Sequence, residues 1–164
     1  MKRLTANMLV GLVLLVSGPA TAELITTKLL PLDMARTIAS SAIEACRKQG
    51  YQVSVVVTDR SGEPLVIMRD VYSNRYFTQL AHGKANAVIM AKTSSAELRS
   101  NRPDMVGVLN LLDGVMVLAG GLPVQAAGSL VGAVGVSGAP GGDLDEDCAR
   151  AGIEAVQEEL EFAD

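Results

Sequence analysis

One histidine, His82, and two cysteines, Cys46 and Cys148, are the scarcest reactive side chains of this 164-residue chain. A single histidine limits nucleophilic triads, and Ser137, between Val136 and Gly138, lacks the Gly-x-Ser-x-Gly elbow that exposes a catalytic serine. Asp59 and Arg60 could serve as a base and an anion clamp, but Asp59 to Pro64 also has the composition of a tight turn, where Asp and Gly have backbone roles. Asp143, Asp145, Glu146 and Asp147 crowd one helix start, where the macrodipole attracts carboxylates and Asp143 is expected to cap. Hard cations suit the same oxygens and those of the tail Glu158, Glu159, Glu161 and Asp164, so the sequence leaves any metal unknown. The segment Gly132 to Gly138 lacks the Gly-Lys-Ser/Thr ending and spacing of a phosphate loop. Enzyme activity finds no support in these residues.

The elements that must position these groups are legible from periodicity. A helix is predicted from Asp33 to Gln49, stopped by Gly50. Val53 to Thr58 and Leu65 to Arg69 are β-rich runs that flank the Asp59 turn as a hairpin. A second helix begins near Ser73 or Asn74 and sets Phe77, Leu80, Ala81, Lys84, Val88 and Ala91 on one stripe. Ser94 and Glu97 have capping-box spacing. From Arg99 to Asp113 the pattern dissolves, and a functional or interface loop is expected. Strands at Val115 to Leu118, Pro123 to Ala126 and Leu130 to Val136 follow, then a helix from Asp143 to Glu161. Consecutive short-linked strands favour antiparallel pairing. The expected fold is α+β, three layers with a five-stranded antiparallel sheet between helices.

Eight of the sixteen glycines fall between Gly120 and Gly142. Interleaved with valines, they make two strands joined near Ala127 and Gly128, whose low-relief surface is open to a ligand or a neighbouring subunit. The cysteines lie in the first and last helices. Ala35, Ala39, Ala42 and Cys46 share one face, as do Cys148, Ala151, Gly152 and Ala155. Two seams of small residues permit close contact, so the pair reads as a disulfide or as two buried thiols.

Residues 1–22 follow another logic. Lys2 and Arg3 precede an apolar run, and Ala20-Thr21-Ala22 ends it with the small residues a signal peptidase accepts. Cleavage after Ala22 is expected, leaving residues 23–164 as one domain that is periplasmic or secreted. The 14 basic residues lose Lys2 and Arg3, and the remaining 12 face 18 acidic ones, a net of −6. Nucleic acid and anionic membrane are poor partners for that charge, and no membrane insertion is expected after cleavage.

The residues from Thr58 to Leu65, Gly83-Lys84-Ala85 leading to Thr93, Gly120-Gly121-x-Pro123, and Val131 to Gly138 followed by Asp145 together resemble the GlcG/HbpS family. That family includes secreted haem-binding proteins and the C-terminal domain of some PduO-type adenosyltransferases. The resemblance covers nearly all of residues 23–164. It implies a profilin-like fold, homo-oligomers from dimer to octamer, and binding of haem or a related tetrapyrrole. An accessory protein or enzyme of small oxidised-carbon-compound catabolism, with a pocket between subunits, is the alternative. A haem site needs an axial ligand, an apolar slot and cations near the propionates. His82 lies on the shoulder of the second helix, as a ligand or as an ordinary surface histidine. Arg75 and Lys84 could meet carboxylates. Tyr72 and Tyr76 could ligate or stack, and methionines 68, 90, 105 and 116 are soft donors or core filler. Thr93 matches the family's threonine, as a weak ligand or a helix-end hydrogen bond.

Overall fold

The computed structural model describes residues 26–162. The expected signal peptide and the start at Glu23 lie outside the described residues. Helix α1 (Leu32–Lys48) is followed by strands β1 (Ser54–Asp59) and β2 (Pro64–Arg69) and helix α2 (Arg75–Ala91). Two short helices, α3 (Ser95–Asn101) and α4 (Pro103–Leu109), lead to β3 (Gly121–Ala126) and β4 (Ser129–Ser137). Helices α5 (Gly142–Glu154) and α6 (Gln157–Glu161) complete the described chain.

The four strands form one sheet in the order β2-β1-β4-β3, with every neighbouring pair antiparallel. Helices α1 and α5 pack together on one face. There Ile38, Val55, Val57, Val124, Val134 and Val136 are fully enclosed, and Cys46 and Cys148 form a disulfide with Cα atoms 5.5 Å apart. Gly152 is required by this contact, since a Cβ there would lie 2.5 Å from the Ile38 carbonyl oxygen.

Helix α2 covers the other face, where small and hydroxylated residues surround the buried Val56. A Cβ on Gly135 would run into the Ala81 carbonyl oxygen, and one on Gly121 would stand 2.6 Å from that of Lys84. The glycine strands are therefore low in relief for the chain's own helix. The surface expected to receive a ligand or a second subunit is covered by α2.

Three further expectations are corrected. Val115–Leu118 is no strand, so the sheet has four strands instead of five. Its backbone is claimed elsewhere: the Met116 N–H donates to the Gly83 carbonyl and the Val117 N–H to the Asn110 side chain. The 99–113 stretch holds α3 and α4, the latter with no buried residue, so neither carried an apolar stripe to read. The last helix breaks at Ala155 and Val156, which seats Val156 and Leu160 in the core and lets the Leu160 carbonyl accept from Ala127 at the β3–β4 turn.

Candidate functional site

Helix α2 positions the histidine. Asn74 caps it, its side-chain oxygen accepting from the Tyr76 N–H at 2.9 Å and Phe77 N–H at 3.4 Å. The Arg75 guanidinium donates to the Tyr76 hydroxyl at 2.9 Å and lies 4.7 Å from the ring centroid. Two turns on, the Asp113–Met116 segment folds back over the helix, held by the Met116-to-Gly83 bond of 2.9 Å. Gly83 permits this approach, since a Cβ there would be 2.7 Å from that of Met116. The result is a hollow of about 490 Å³ lined by Tyr76, Leu80, His82, Val115 and Met116 among others, within the range of small-ligand sites.

His82 is half-buried, and its Nε2 pairs with the Gly62 carbonyl at 3.0 Å. A carbonyl only accepts, so Nε2 carries the proton and Nδ1 is left as the basic ring nitrogen. Among the described residues Nδ1 has no partner. Fixing one ring nitrogen on a backbone carbonyl is how proteins orient a ligating imidazole. Imidazole, thioether and phenol are all axial-ligand types for haem iron, so the donor set of this hollow fits that group. Tyr72 is exposed and stands outside the hollow.

Thr93 lies elsewhere. It follows the left-handed Lys92 that ends α2, and its hydroxyl donates to the Glu97 carboxylate. Glu97 also closes the capping box with Ser94. The Thr93 hydroxyl and the Ser94 amide hold the Glu97 carboxyl below its usual range. The Thr93 groove, about 790 Å³, also offers Lys92, Pro123, Glu146 and Arg150.

Lys84 is 3% exposed. Its Nζ donates to Asp145 Oδ2 at 2.7 Å and to the Val136 carbonyl at 2.9 Å, and the Ala139 N–H reaches Asp145 Oδ1 at 2.9 Å. The cation expected to meet a ligand carboxylate meets one of the protein's own. The pair ties α2, on one face of the sheet, to α5 on the other. Burial pushes the Asp145 carboxyl above its usual range, against the attraction of Lys84. Gly120 makes room for the pair, since a Cβ there would come within 2.8 Å of Lys84 Nζ. A lysine in an apolar helical stripe was the available signal, because a buried ammonium requires a buried partner.

The acidic helix start is also resolved. Gly141, with no side-chain bond, is the N-cap of α5 in place of Asp143, two residues before the expected cap. Among the described residues no three His, Cys, Asp or Glu side chains gather as a metal site. Asp59 acts as the turn residue, its Oδ1 accepting from the Ser61 amide and hydroxyl, each at 2.7 Å, and from the Glu63 amide at 3.0 Å.

An antiparallel sheet clasped between α2 and the α1–α5 pair, with a half-buried histidine beside a small hollow, defines the class of this protein as an α+β sheet-and-helix domain. Residues 30–154 match the HbpS-like family of haem-degrading proteins, and the chain belongs to that family. The fold is similar to that of a double mutant of HbpS from Streptomyces reticuli, with 37% identity, a TM-score of 0.76, and 86% of this chain and 98% of that one covered. A PduOC protein solved as a haem complex aligns at 26% identity and TM-score 0.71, covering 78% and 95%. The Klebsiella pneumoniae protein ORFY shares the fold at 22% identity and TM-score 0.76, covering 85% and 98%. No curated protein sequence matches the chain.

Proposed function

We propose that residues 23–164 form an exported homo-oligomeric protein that binds haem or a related tetrapyrrole in the hollow beneath the start of α2. The observation that carries this is the meeting of His82, Tyr76 and Met116 around one cavity in a member of a haem-degrading family. His82 is the proposed iron ligand through Nδ1, Tyr76 and Met116 flank it, and Arg75, bonded to Tyr76, faces the carboxylates. Leu80 and Val115 supply apolar walls. When bound, haem supplies the iron, while these residues hold it and exclude water. The Thr93 groove is the second candidate place. Val108, Leu111, Leu112 and Leu118 are exposed apolar side chains around α4 and the segment after it, which supports assembly with further copies.

Titration of the oxidised protein with haemin tests the reading. A saturable Soret band that survives gel filtration is expected, and His82→Ala is expected to shift it and weaken binding by about tenfold or more. Loss of the band in Thr93→Ala with His82→Ala unchanged moves the site to the groove. A spectrum equal to free haemin overturns the proposal. Light scattering of a monomer at micromolar concentration would refute the assembly, and N-terminal sequencing that returned Met1 would refute the export.

A further inference from the structure

Asn86 stands one turn beyond His82 on α2, so the two side chains share a face of that helix. Its amide meets two different loops. Nδ2 donates at 2.9 Å to the carbonyl of Gly114, in the segment that lies over the hollow. Oδ1 lies against the hairpin turn, where a Cβ on Gly62 would be 2.8 Å from it. Gly62 is also the residue whose carbonyl holds His82 Nε2 at 3.0 Å. The Asn86 Oδ1 atom is buried and accepts from no donor among the described residues.

A buried acceptor without a donor is uncommon in a native fold and calls for a reason. The planar amide supplies it: with Nδ2 committed to Gly114, Oδ1 is turned to the other side, against Gly62. Exchanging the two atoms would set oxygen against the Gly114 carbonyl, acceptor facing acceptor. The hairpin turn is tied together internally, because Asp59 Oδ1 gathers the Ser61 and Glu63 amides and the Gly62 N–H reaches the Asp59 carbonyl at 3.2 Å. Its seat on α2 therefore decides where the Gly62 carbonyl stands. His82 contributes a hydrogen bond to that seat and Asn86 a contact. The Gly114 segment is held to the same helix by Asn86 and by the Met116-to-Gly83 bond.

We propose that Asn86 is a positioning residue, which fixes the hairpin turn and the Gly114 segment relative to each other and, through Gly62, orients the His82 ring. Nδ1 faces a ligand in a set direction only while Nε2 is held, and partners of this kind govern how an imidazole meets a metal. As a contribution to haem binding the role rests on the reading above; as a clamp on the ring it stands apart from it.

His82 is the single histidine of the chain, so protein with isotope-labelled histidine gives one imidazole to follow by nuclear magnetic resonance. Without haemin, the Nε2 proton should resist exchange with water, and Asn86→Leu should speed that exchange about tenfold or more. Asn86→Asp keeps the size, sets a carboxylate oxygen against the Gly114 carbonyl, and should have the same effect. Melts by circular dichroism identify the folded variants. Unchanged exchange in a folded variant overturns the role, even if its melting temperature falls. A wild-type Nε2 proton that exchanges as fast as that of free histidine overturns it too. With haemin, both variants should shift the Soret band and weaken binding about tenfold. A wild-type spectrum equal to free haemin refutes the haem reading alone, and the exchange result still decides the clamp.

Discussion

The two faces of the sheet are built from different materials. Under α1 and α5 lie Val55, Val57, Val124, Val134 and Val136, closed by a disulfide. Under α2 lie Ser54, Thr58, Ala133 and Gly135, and Ser54 is hydrogen-bonded to Ser73 at 2.9 Å and to Thr78 at 3.0 Å. The first face gains stability from apolar area removed from water. The second has little such area to give and relies on backbone proximity, hydroxyl bonds and one ion pair. The histidine hollow lies along α2, and Lys84 of α2 lines a cavity at the end of the sheet. A polar, close-fitting face can present donors and acceptors at its margins, which an aliphatic face cannot.

The sharpest way to break this contrast is to cut the aliphatic side. Cys46→Ser with Cys148→Ser should lower unfolding stability by about 4–5 kcal/mol, because the bond closes a loop of 102 residues. Urea melts of oxidised, reduced and doubly substituted protein would check it, and equal midpoints would refute it. On the polar side, Asp145→Ala leaves Lys84 Nζ buried with only the Val136 carbonyl, at an expected cost of about 3–5 kcal/mol by the same melts. The pH dependence has a definite sign. The folded Asp145 pKa is raised, so its contribution is fully present below the unfolded value of about 3.9 and is lost as pH rises through the folded value. Asp145→Asn, neutral throughout, should remove that component.

Gly135→Leu tests the close fit, since its side chain has only α2 backbone to enter. A loss of about 3 kcal/mol or more is expected in thermal melts by circular dichroism. A fully stable variant would mean that α2 can lift away. The smallest expected effect is at the hairpin. Burial raises the Asp59 carboxyl, but the Ser61, Glu63 and Gly62 bonds together leave it below its usual range. Its contribution is therefore present above the unfolded pKa and lost as pH falls through the folded one. Asp59→Asn should cost about 1 kcal/mol or less at neutral pH, and the gap should close in acid.

The aliphatic face was the more legible in the sequence. The small-residue seams of α1 and α5 placed Cys46 against Cys148 because helical periodicity fixes which residues share a stripe. The β1–β2 hairpin and the turn at Ala127 and Gly128 followed from turn chemistry, and both residues there have positive φ. The polar face was misjudged. Glycine content showed that something approaches β4, but not that it is α2, since the approaching group is backbone and carries no sequence signal. Val115–Leu118 has strand composition, yet a strand exists only where a partner edge is free, and this backbone bonds to Gly83 and Asn110 instead. Of the candidate ligands, Tyr76 and His82 share a hollow because they lie on neighbouring turns of α2. Thr93, beyond the helix end, faces a separate groove.

The disulfide also sets an order in time. Its two cysteines belong to the first and fifth helices, and the aliphatic face is complete only when α5 docks beside α1. During vectorial synthesis, α1 and the β1–β2 hairpin emerge well before β3, β4 and α5, so the hydrophobic side of the sheet stays open until α5 arrives. Oxidation of Cys46 to Cys148 thus records that α5 has been delivered to α1. A thiol-trapping pulse-chase would show the bond forming only in chains that extend past Cys148.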